Sequence, residues 1–491
     1  MSESVARSIY HRHVLTSPEC IRILVPTAQQ EPGMTRYRLE VVSLDRVPVY
    51  AALSYVWGPS ETVHHAYIDE QAHPITRNLH FALSKLAAIG GLASIQNGTP
   101  SSLWIDQISI NQRDHLEKNH QVAMMTWIYR QARRVYVSLG DSVTAKDACN
   151  LVSRLGYSIS LDATRFEFVS DMPRADSNDL KAEQTSDWEA LRDMMSSEWF
   201  KRTWVVQEIG LARKATVLYG EYQFEWSSLM MLFVWLIMGG RPFYDYFELS
   251  GWTTHQMWVT FDLINRKATR IFREHGFLDL LSHTSHTYNV TNVRDRIYAL
   301  MGHPSAPSRR SRWTSSSPLL IVPAYENSVH DVYLAFARDW LQNTRDSRLL
   351  ACVYHGDLPK GQSELTGAKK LPSWCPDWSF LPLGGSVIDS ARAASGNNAS
   401  GSDRFRFKLR LDILEVRGYS FDTLSETLPS FPELPTVTES LVHGNIFHYR
   451  AARTMFKLTR LCRMTMLSPR ISVDQRDKIF GIFAMVTQRP R

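Results

Sequence analysis

At 491 residues the chain is longer than one hydrophobic core accommodates, so two or three domains are expected. Hydrophobic residues make up 44% and charged residues 21%, a globular composition that excludes a disordered chain. The net charge of +6 is modest for this length and does not by itself select nucleic acid.

The first residues mix Glu3, Arg7, His11 and Arg12 with apolar ones, so they contain no continuous apolar run of a signal peptide. Arg36–Val42 alternates Tyr37, Leu39 and Val41 with charged residues and predicts a half-exposed strand. Tyr50–Val56 predicts a buried strand stopped by Trp57-Gly58-Pro59. Ala66–Asp69 and His73–Thr76 predict a hairpin. Asn78 is expected to cap a helix whose Leu79, Ala82, Leu83 and Leu86 share a face, with Gly90-Gly91 ending it.

The most patterned stretch is Leu103–Asp141. Leu103–Ile110 reads as a strand with Asp106 in its middle, and polar Asn111–Asp114 ends it. Asp114 and Glu117 form a capping-box pattern, in which the Glu reaches back to the cap. Val122, Met125, Ile128, Tyr129 and Ala132 recur at helical spacing, and Val135–Leu139 is a second short apolar run. Strand, helix, strand of this size is a βαβ unit, which implies parallel strands with covered faces.

Ser142–Ser186 reads as helix plus surface loop, Trp188–Arg202 as a helix through Trp188, Leu191, Met195 and Trp199, and Trp204–Leu211 as a further helical turn or two. Ala215–Tyr219 predicts a strand before a turn at Gly220. From Trp226 to about His286 the pattern is helical. Its apolar run Leu229–Met238 is about half of what a membrane span needs. His303–Pro318 is a linker rich in Ser, Pro and Arg. Val329–Leu341 predicts a helix with Val332, Tyr333, Phe336 and Trp340 on one side. Leu371–Ser379 reads as a fixed extended segment, Gly384–Asp403 as a loop, and Arg404–Ile413 as a strand. The five cysteines, Cys20, Cys149, Cys352, Cys375 and Cys462, have no zinc spacing and read as reduced, buried thiols of a cytoplasmic protein. His283 and His286 lack acidic or thiol companions, so no metal site is expected.

The chain has no phosphate-binding glycine loop, nucleophile elbow or HExxH pair. What remains is a set of polar residues at the ends of predicted parallel strands, where open α/β sheets bind ligands. Ser54, Tyr55 and Trp57 end the first buried strand. Asp106, Asn111 and Gln112 belong to the second, and Glu208 follows Trp204 within a turn. A carboxylate beside tryptophans suits a ribose or a positive charge growing on a sugar carbon. The plainer reading is also open: Asp106 a structural carboxylate, the tryptophans core, and Arg202 with Glu208 a surface pair.

Three segments, Tyr50–Gly58 (YAALSYVWG), Leu103–Asp141 and Trp199–Gly220 (WFKRTWVVQEIGLARKATVLYG), resemble the signature of the fungal heterokaryon incompatibility (HET) domain in the expected order. The resemblance covers roughly residues 48–222. It implies an effector of nonself recognition and regulated cell death in a filamentous fungus, triggered by a protein partner from an incompatibility locus. Where HET domains commonly read Cys-Ile-Asn-Gln, this chain has Ser109-Ile110-Asn111-Gln112, so a catalytic thiol is not part of the reading. The same motifs are similar, more distantly, to the Toll/interleukin-1 receptor (TIR) domain. That likeness implies an α/β domain with a mostly parallel sheet and flanking helices. It implies a catalytic role for Glu208 in cleaving the nicotinamide–ribose bond of NAD, which would be substrate and not bound cofactor. Ser54, Tyr55, Trp57, Asp106, Arg202 and Trp204 would line that site, and self-association is implied. A non-enzymatic adaptor acting through homotypic HET-domain contacts is the alternative. Nucleic-acid binding finds no support, because no basic stripe with interleaved aromatics is present. The expected organisation is a HET domain over 1–225, a mainly helical region over 226–303, a linker over 304–318, and a mixed α+β region over 319–491. The family's Gly-rich closing segment is not visible there, which leaves the completeness of that region open.

Overall fold

In the computed structural model, residues 9–27, 36–89, 102–163, 185–238, 277–303, 305–307, 320–353, 371–379, 407–410 and 412–416 are described. The chain divides into two units, one of residues 1–339, 357–370 and 377–381, the other of residues 340–356, 371–376 and 382–491.

The first unit is built on a nine-stranded mixed sheet. Its strands are β1 (Cys20–Pro26), β2 (Arg36–Ser43), β3 (Tyr50–Tyr55), β4 (His64–Ile68), β5 (Gln71–Ile75), β6 (Ser102–Trp104), β7 (Arg134–Ser138), β8 (Ala215–Tyr219) and β9 (Tyr222–Glu225). They lie in the order β5-β4-β2-β1-β6-β3-β7-β8-β9. The centre is parallel as expected: β3 pairs with β6 and β7, and β7 with β8. The flanks are not. β1 runs antiparallel to both β2 and β6, and β4–β5 and β8–β9 are hairpins. The short links of β4–β5 and β8–β9 dictate those two reversals, because a tight turn can only reverse a strand. The β4–β5 turn places Asp69 and Glu70 at positive φ (49° and 62°), as hairpin turns demand.

Helices cover both faces. The helices of the described residues are α1 (Arg77–Ala88), α2 (Asp106–Ser109), α3 (His115–Gln131), α4 (Ala145–Ala163), α5 (Thr185–Met195), α6 (Val205–Gly210), α7 (Trp226–Met238), α8 (Phe277–Thr287), α9 (Asp295–Tyr298) and α10 (Val329–Thr344). Side chains alternate along a strand, and β3 uses both faces. Ala51, Leu53 and Tyr55 join the core formed with Leu79, Ala82, Leu83 and Leu86 of α1. Tyr50 and Ser54 face the other way, toward α3 and α6, where Tyr50 donates to Ile128 O at 2.5 Å. Every residue of β3 is buried, which explains its unbroken apolar run.

Four expectations in the first unit need correction. The cap of α1 is Thr76, whose hydroxyl accepts from Leu79 N at 3.4 Å; Asn78 lies inside the first turn and donates to Val56 O at 3.0 Å. The strand expected over Leu103–Ile110 stops at Trp104, and α2 follows at once. Ser109 causes the bend, because its N–H reaches Ile105 O (2.7 Å) while its hydroxyl accepts from Ile105 N (3.2 Å). Asp114 does cap α3, accepting from Leu116 N and Glu117 N. Glu117, however, reaches past the cap to Asn111 N at 2.7 Å. Its carboxylate also takes both arms of the buried Arg22 guanidinium, at 2.6 and 2.9 Å. Finally, the helix expected over Trp188–Arg202 ends at Met195. Ser197 then caps a 3-10 turn, Glu198–Lys201, by accepting from Trp199 N.

The expected helices from Trp226 onward are found as α7 and α8; residues 239–276 lie outside the described ones, as do the side chains of His283 and His286. Most of the linker, the loop over 384–403 and residues 404–406 also lie outside them. In the second unit, strand β10 (Phe407–Arg410) pairs antiparallel with β11 (Ile413–Val416), so the single strand expected over Arg404–Ile413 is cut short by a turn. Trp374 Nε1 donates to Asp412 O at 2.8 Å beside this hairpin. Cys20, Cys149, Cys352 and Cys375 are buried, and Cys462 lies outside the described residues. Among the described residues no helix is long and apolar enough to cross a membrane.

Candidate functional site

The site forms where β3, β6 and β7 end. Ser54, the fifth residue of β3, points at α6, where Glu208 is 2% exposed. The Ser54 hydroxyl donates to Glu208 Oε2 and accepts from Trp199 Nε1 at 2.8 Å. Trp199 is itself fully buried and packs edge-on against Phe200 and Trp226. A buried serine between an indole and a carboxylate has both its hydrogen-bonding roles filled.

The adjacent residue, Tyr55, faces the opposite side. Its hydroxyl donates to Gln107 Oε1 at 3.1 Å, next to Asp106. Asp106 opens α2, two residues past the end of β6, and keeps some surface in solvent. It accepts from Trp57 Nε1 at 2.8 Å and from Gln107 N at 2.7 Å. The two carboxylates therefore approach β3 from opposite faces. Arg202 joins them at the strand end: it donates to Tyr55 O, and its Nη2 lies 3.7 Å from Glu208 Oε1. Arg202 is partly exposed, its side chain 21% accessible.

Burial raises the pKa of Glu208; Arg202 and the Ser54 hydrogen bond pull it back down, and Asp106 pushes it up. Asp106 is raised for the same first reason and lowered by Arg202, Trp57 and the Gln107 N–H. Tyr129, which donates to Leu53 O at 3.2 Å, is held well above its ordinary value by burial and by both carboxylates. Two carboxylates and one guanidinium thus meet around the end of β3, and Glu208 lies in low-dielectric surroundings. Such surroundings favour positive charge arriving beside Glu208.

Of the residues singled out from sequence, Ser54, Tyr55, Trp57, Asp106, Arg202 and Glu208 come together here. Trp204 lies one helical turn before Glu208, but its indole N–H points away, to Asp295 Oδ2 at 3.1 Å. Asn111 and Gln112 shape the loop after α2, and Gln112 Nε2 donates to Asp106 O at 3.0 Å. Among the described residues no cluster of His, Cys, Asp and Glu could hold a metal ion.

The family model of the heterokaryon incompatibility protein (HET) matches residues 50–208, which run from the start of β3 to Glu208. Residues 50–208 form a HET domain. The chain is also similar to heterokaryon incompatibility protein 6, OR allele, of Neurospora crassa, at 27% identity over 378 residues. That alignment takes in 68% of this chain and 53% of the relative, so the chain spans about half the length of the curated relative it matches. No solved structure matches.

Sequence reasoning missed several neighbours of the HET-domain site. Trp199 was legible only as a helix residue. Gln207, 2% exposed, spans Thr126 N and Ala299 O at 3.0 and 3.1 Å with its amide turned to accept from the first and donate to the second. Asp295 belongs to the segment NVRDRIYALMG, where it stands between Arg294 and Arg296, so nothing in the sequence marked it as buried.

Proposed function

We propose that this chain acts in heterokaryon incompatibility, as an effector of nonself recognition and regulated cell death in a filamentous fungus. We further propose that its HET domain cleaves the nicotinamide–ribose bond of NAD, with Glu208 as the acting carboxylate. The general role is supported by the family match and by the Neurospora crassa relative. The observation that carries the chemistry is the buried Glu208, raised in pKa, meeting Ser54 and Arg202 at the ends of parallel strands. The likeness of these motifs to TIR domains supports the same assignment.

In this reading the C–N bond between ribose C1′ and nicotinamide breaks, and the bonding pair leaves with the pyridine nitrogen as neutral nicotinamide. The positive charge moves to the ribose, where ionised Glu208 stabilises it, and water adds to C1′ with loss of a proton. Arg202 stands at the strand end against Glu208, so the substrate displaces it, and a pyrophosphate offers the guanidinium a bidentate partner. Trp57 and Asp106 form the more open side. The protein would act in the cytoplasm, self-associate through the HET domain, and take its trigger from a protein of an incompatibility locus.

One observation favours the second reading, a non-enzymatic adaptor. Glu208 is already hydrogen-bonded by Ser54 and sheltered from solvent, as a structural carboxylate would be. The test is nicotinamide release by the full chain at high concentration, beside Glu208→Gln, with folding followed by circular dichroism and killing followed on expression in fungal cells. Release by wild type and not by folded Glu208→Gln supports the hydrolase. No release from either, with killing intact in both, leaves the adaptor.

A further inference from the structure

Helix α6 carries Glu208 but spans only Val205–Gly210. A helix this short does not hold its own orientation. Ser54 and Thr126 hold it from within residues 50–208, and the rest of its support lies outside them. Thr203 donates through its backbone N–H and its hydroxyl to Asn289 O, at 3.1 and 3.3 Å. Gln207 reaches Ala299 O at 3.1 Å. Gly302 sits so close to this corner that a Cβ there would lie 2.0 Å from Thr126 Oγ1 and 2.9 Å from the side-chain amide of Gln207.

Asp295 ties these contacts to a further one. Its Oδ2 accepts from Trp204 Nε1 at 3.1 Å, and its Oδ1 from Tyr325 hydroxyl at 2.6 Å. Tyr325 is in turn anchored on α3: its backbone N–H donates to Asn119 Oδ1 at 2.9 Å, and Lys118 Nζ lies 4.6 Å from its ring centroid. Asp295 is 9% exposed, and its hydrogen-bonding side-chain partners are the neutral indole and phenol groups. Burying a carboxylate on neutral donors is costly. The arrangement makes sense if two acceptors are needed at one point, one for the residue that opens α6 and one for the segment lying on α3.

We propose that Asp295 is a positioning residue for Glu208, and that the segments Asn289–Gly302 and Ala324–Tyr325 control the HET-domain site through it. The proposal rests on the reading of Glu208 given above. Glu208 N bonds to Trp204 O at 3.0 Å, so the indole and the carboxylate are fixed to the two ends of one helical turn. A shift at Trp204 is passed to Glu208 and to its contact with Ser54. A partner that draws Tyr325 off Asp295 would loosen the site without touching it.

The experiment uses the full chain with Trp204→Phe, Asp295→Ala and Tyr325→Phe. Two readouts are taken: steady-state nicotinamide release, and hydrogen exchange of the amides of Val205–Leu211 against those of β3 and β7. A displacement of about 1 Å in a catalytic group costs up to about 100-fold. Trp204→Phe and Asp295→Ala are expected to lower kcat by about tenfold or more with KM within about twofold. Exchange in Val205–Leu211 is expected to quicken by about tenfold while β3 and β7 stay protected. Unchanged kcat and unchanged exchange overturn the proposal. So does exchange that quickens equally in β3 and β7, which marks a general loss of stability. If wild type releases no nicotinamide, the hydrolase reading fails on its own, and the exchange of Val205–Leu211 alone decides whether Asp295 holds α6.

Discussion

Ser54→Ala is a one-atom change whose cost can be worked from the structure. The hydroxyl is 1% exposed; it donates to Glu208 and accepts from Trp199 Nε1 at 2.8 Å. A hydrogen bond to a charged group is worth about 1.5–3 kcal/mol, and leaving the indole N–H buried without an acceptor costs about 1–3 kcal/mol. The two overlap, so a net loss of about 3 kcal/mol is expected. Glu208→Gln behaves differently. Burial raises the Glu208 pKa, so the ionised form is the strained one, and a neutral Gln still accepts from Ser54. What it gives up is the 3.7 Å approach of a partly exposed Arg202, so its stability should fall within about 1 kcal/mol of wild type. The pH dependence has a definite sign. With its folded pKa raised, Glu208 contributes stability that is present below its unfolded pKa and is lost as pH rises through the folded one. The Ser54 bond lowers that folded pKa, so the Ser54→Ala deficit grows from pH 5 to pH 8, while Glu208→Gln abolishes its share of the slope. Urea denaturation of the three proteins at both pH values reads this directly. A Ser54→Ala deficit that is below about 0.5 kcal/mol at both pH values, or larger at pH 5 than at pH 8, refutes the reasoning.

Arg22→Met leaves Glu117 without its bidentate partner and should cost about 3–5 kcal/mol in the same urea assay; Glu117→Gln in the same chain should recover part of it. Gly302→Ala forces a methyl against Thr126 and Gln207 and should cost about 1–3 kcal/mol, with Thr126→Ser giving no relief because its hydroxyl remains. Burial pushes the His303 imidazole down to about 4, so its stabilising effect is present above the ordinary value of 6.5 and is lost as pH falls from there toward 4. His303→Asn should flatten thermal stability across that window, by at most about 3 kcal/mol, in melting curves taken from pH 7 to pH 4.

Local signals carried well from sequence to structure. The buried run of β3, the alternation of β2, the Asp114 cap and the apolar face of α1 each depend on residues within a few positions of one another. Where local chemistry competed with a pattern, the pattern misled: Ser109 folds back on Ile105 and ends β6 inside an apolar run. The site was legible as a set of polar residues near strand ends but not as a geometry. That Ser54 and Tyr55 turn to opposite faces follows from strand periodicity. That Trp199 reaches Ser54 across 145 positions does not follow from any periodicity, nor does the approach of Asp295 to Trp204 across 91. Contacts of that span depend on how helices stack, which hydropathy alone does not encode.

The residues that match the family model begin at Tyr50, yet β1 sits inside the sheet, between β2 and β6, and Arg22 of β1 lies locked to Glu117 of α3. The inheritance of this domain therefore has a hidden unit. A recombination event between divergent alleles that fell anywhere from Pro26 to Glu117 would pair one parent's strand with the other's helix. The hybrid would keep every matched motif and still carry a buried arginine chosen for a different carboxylate.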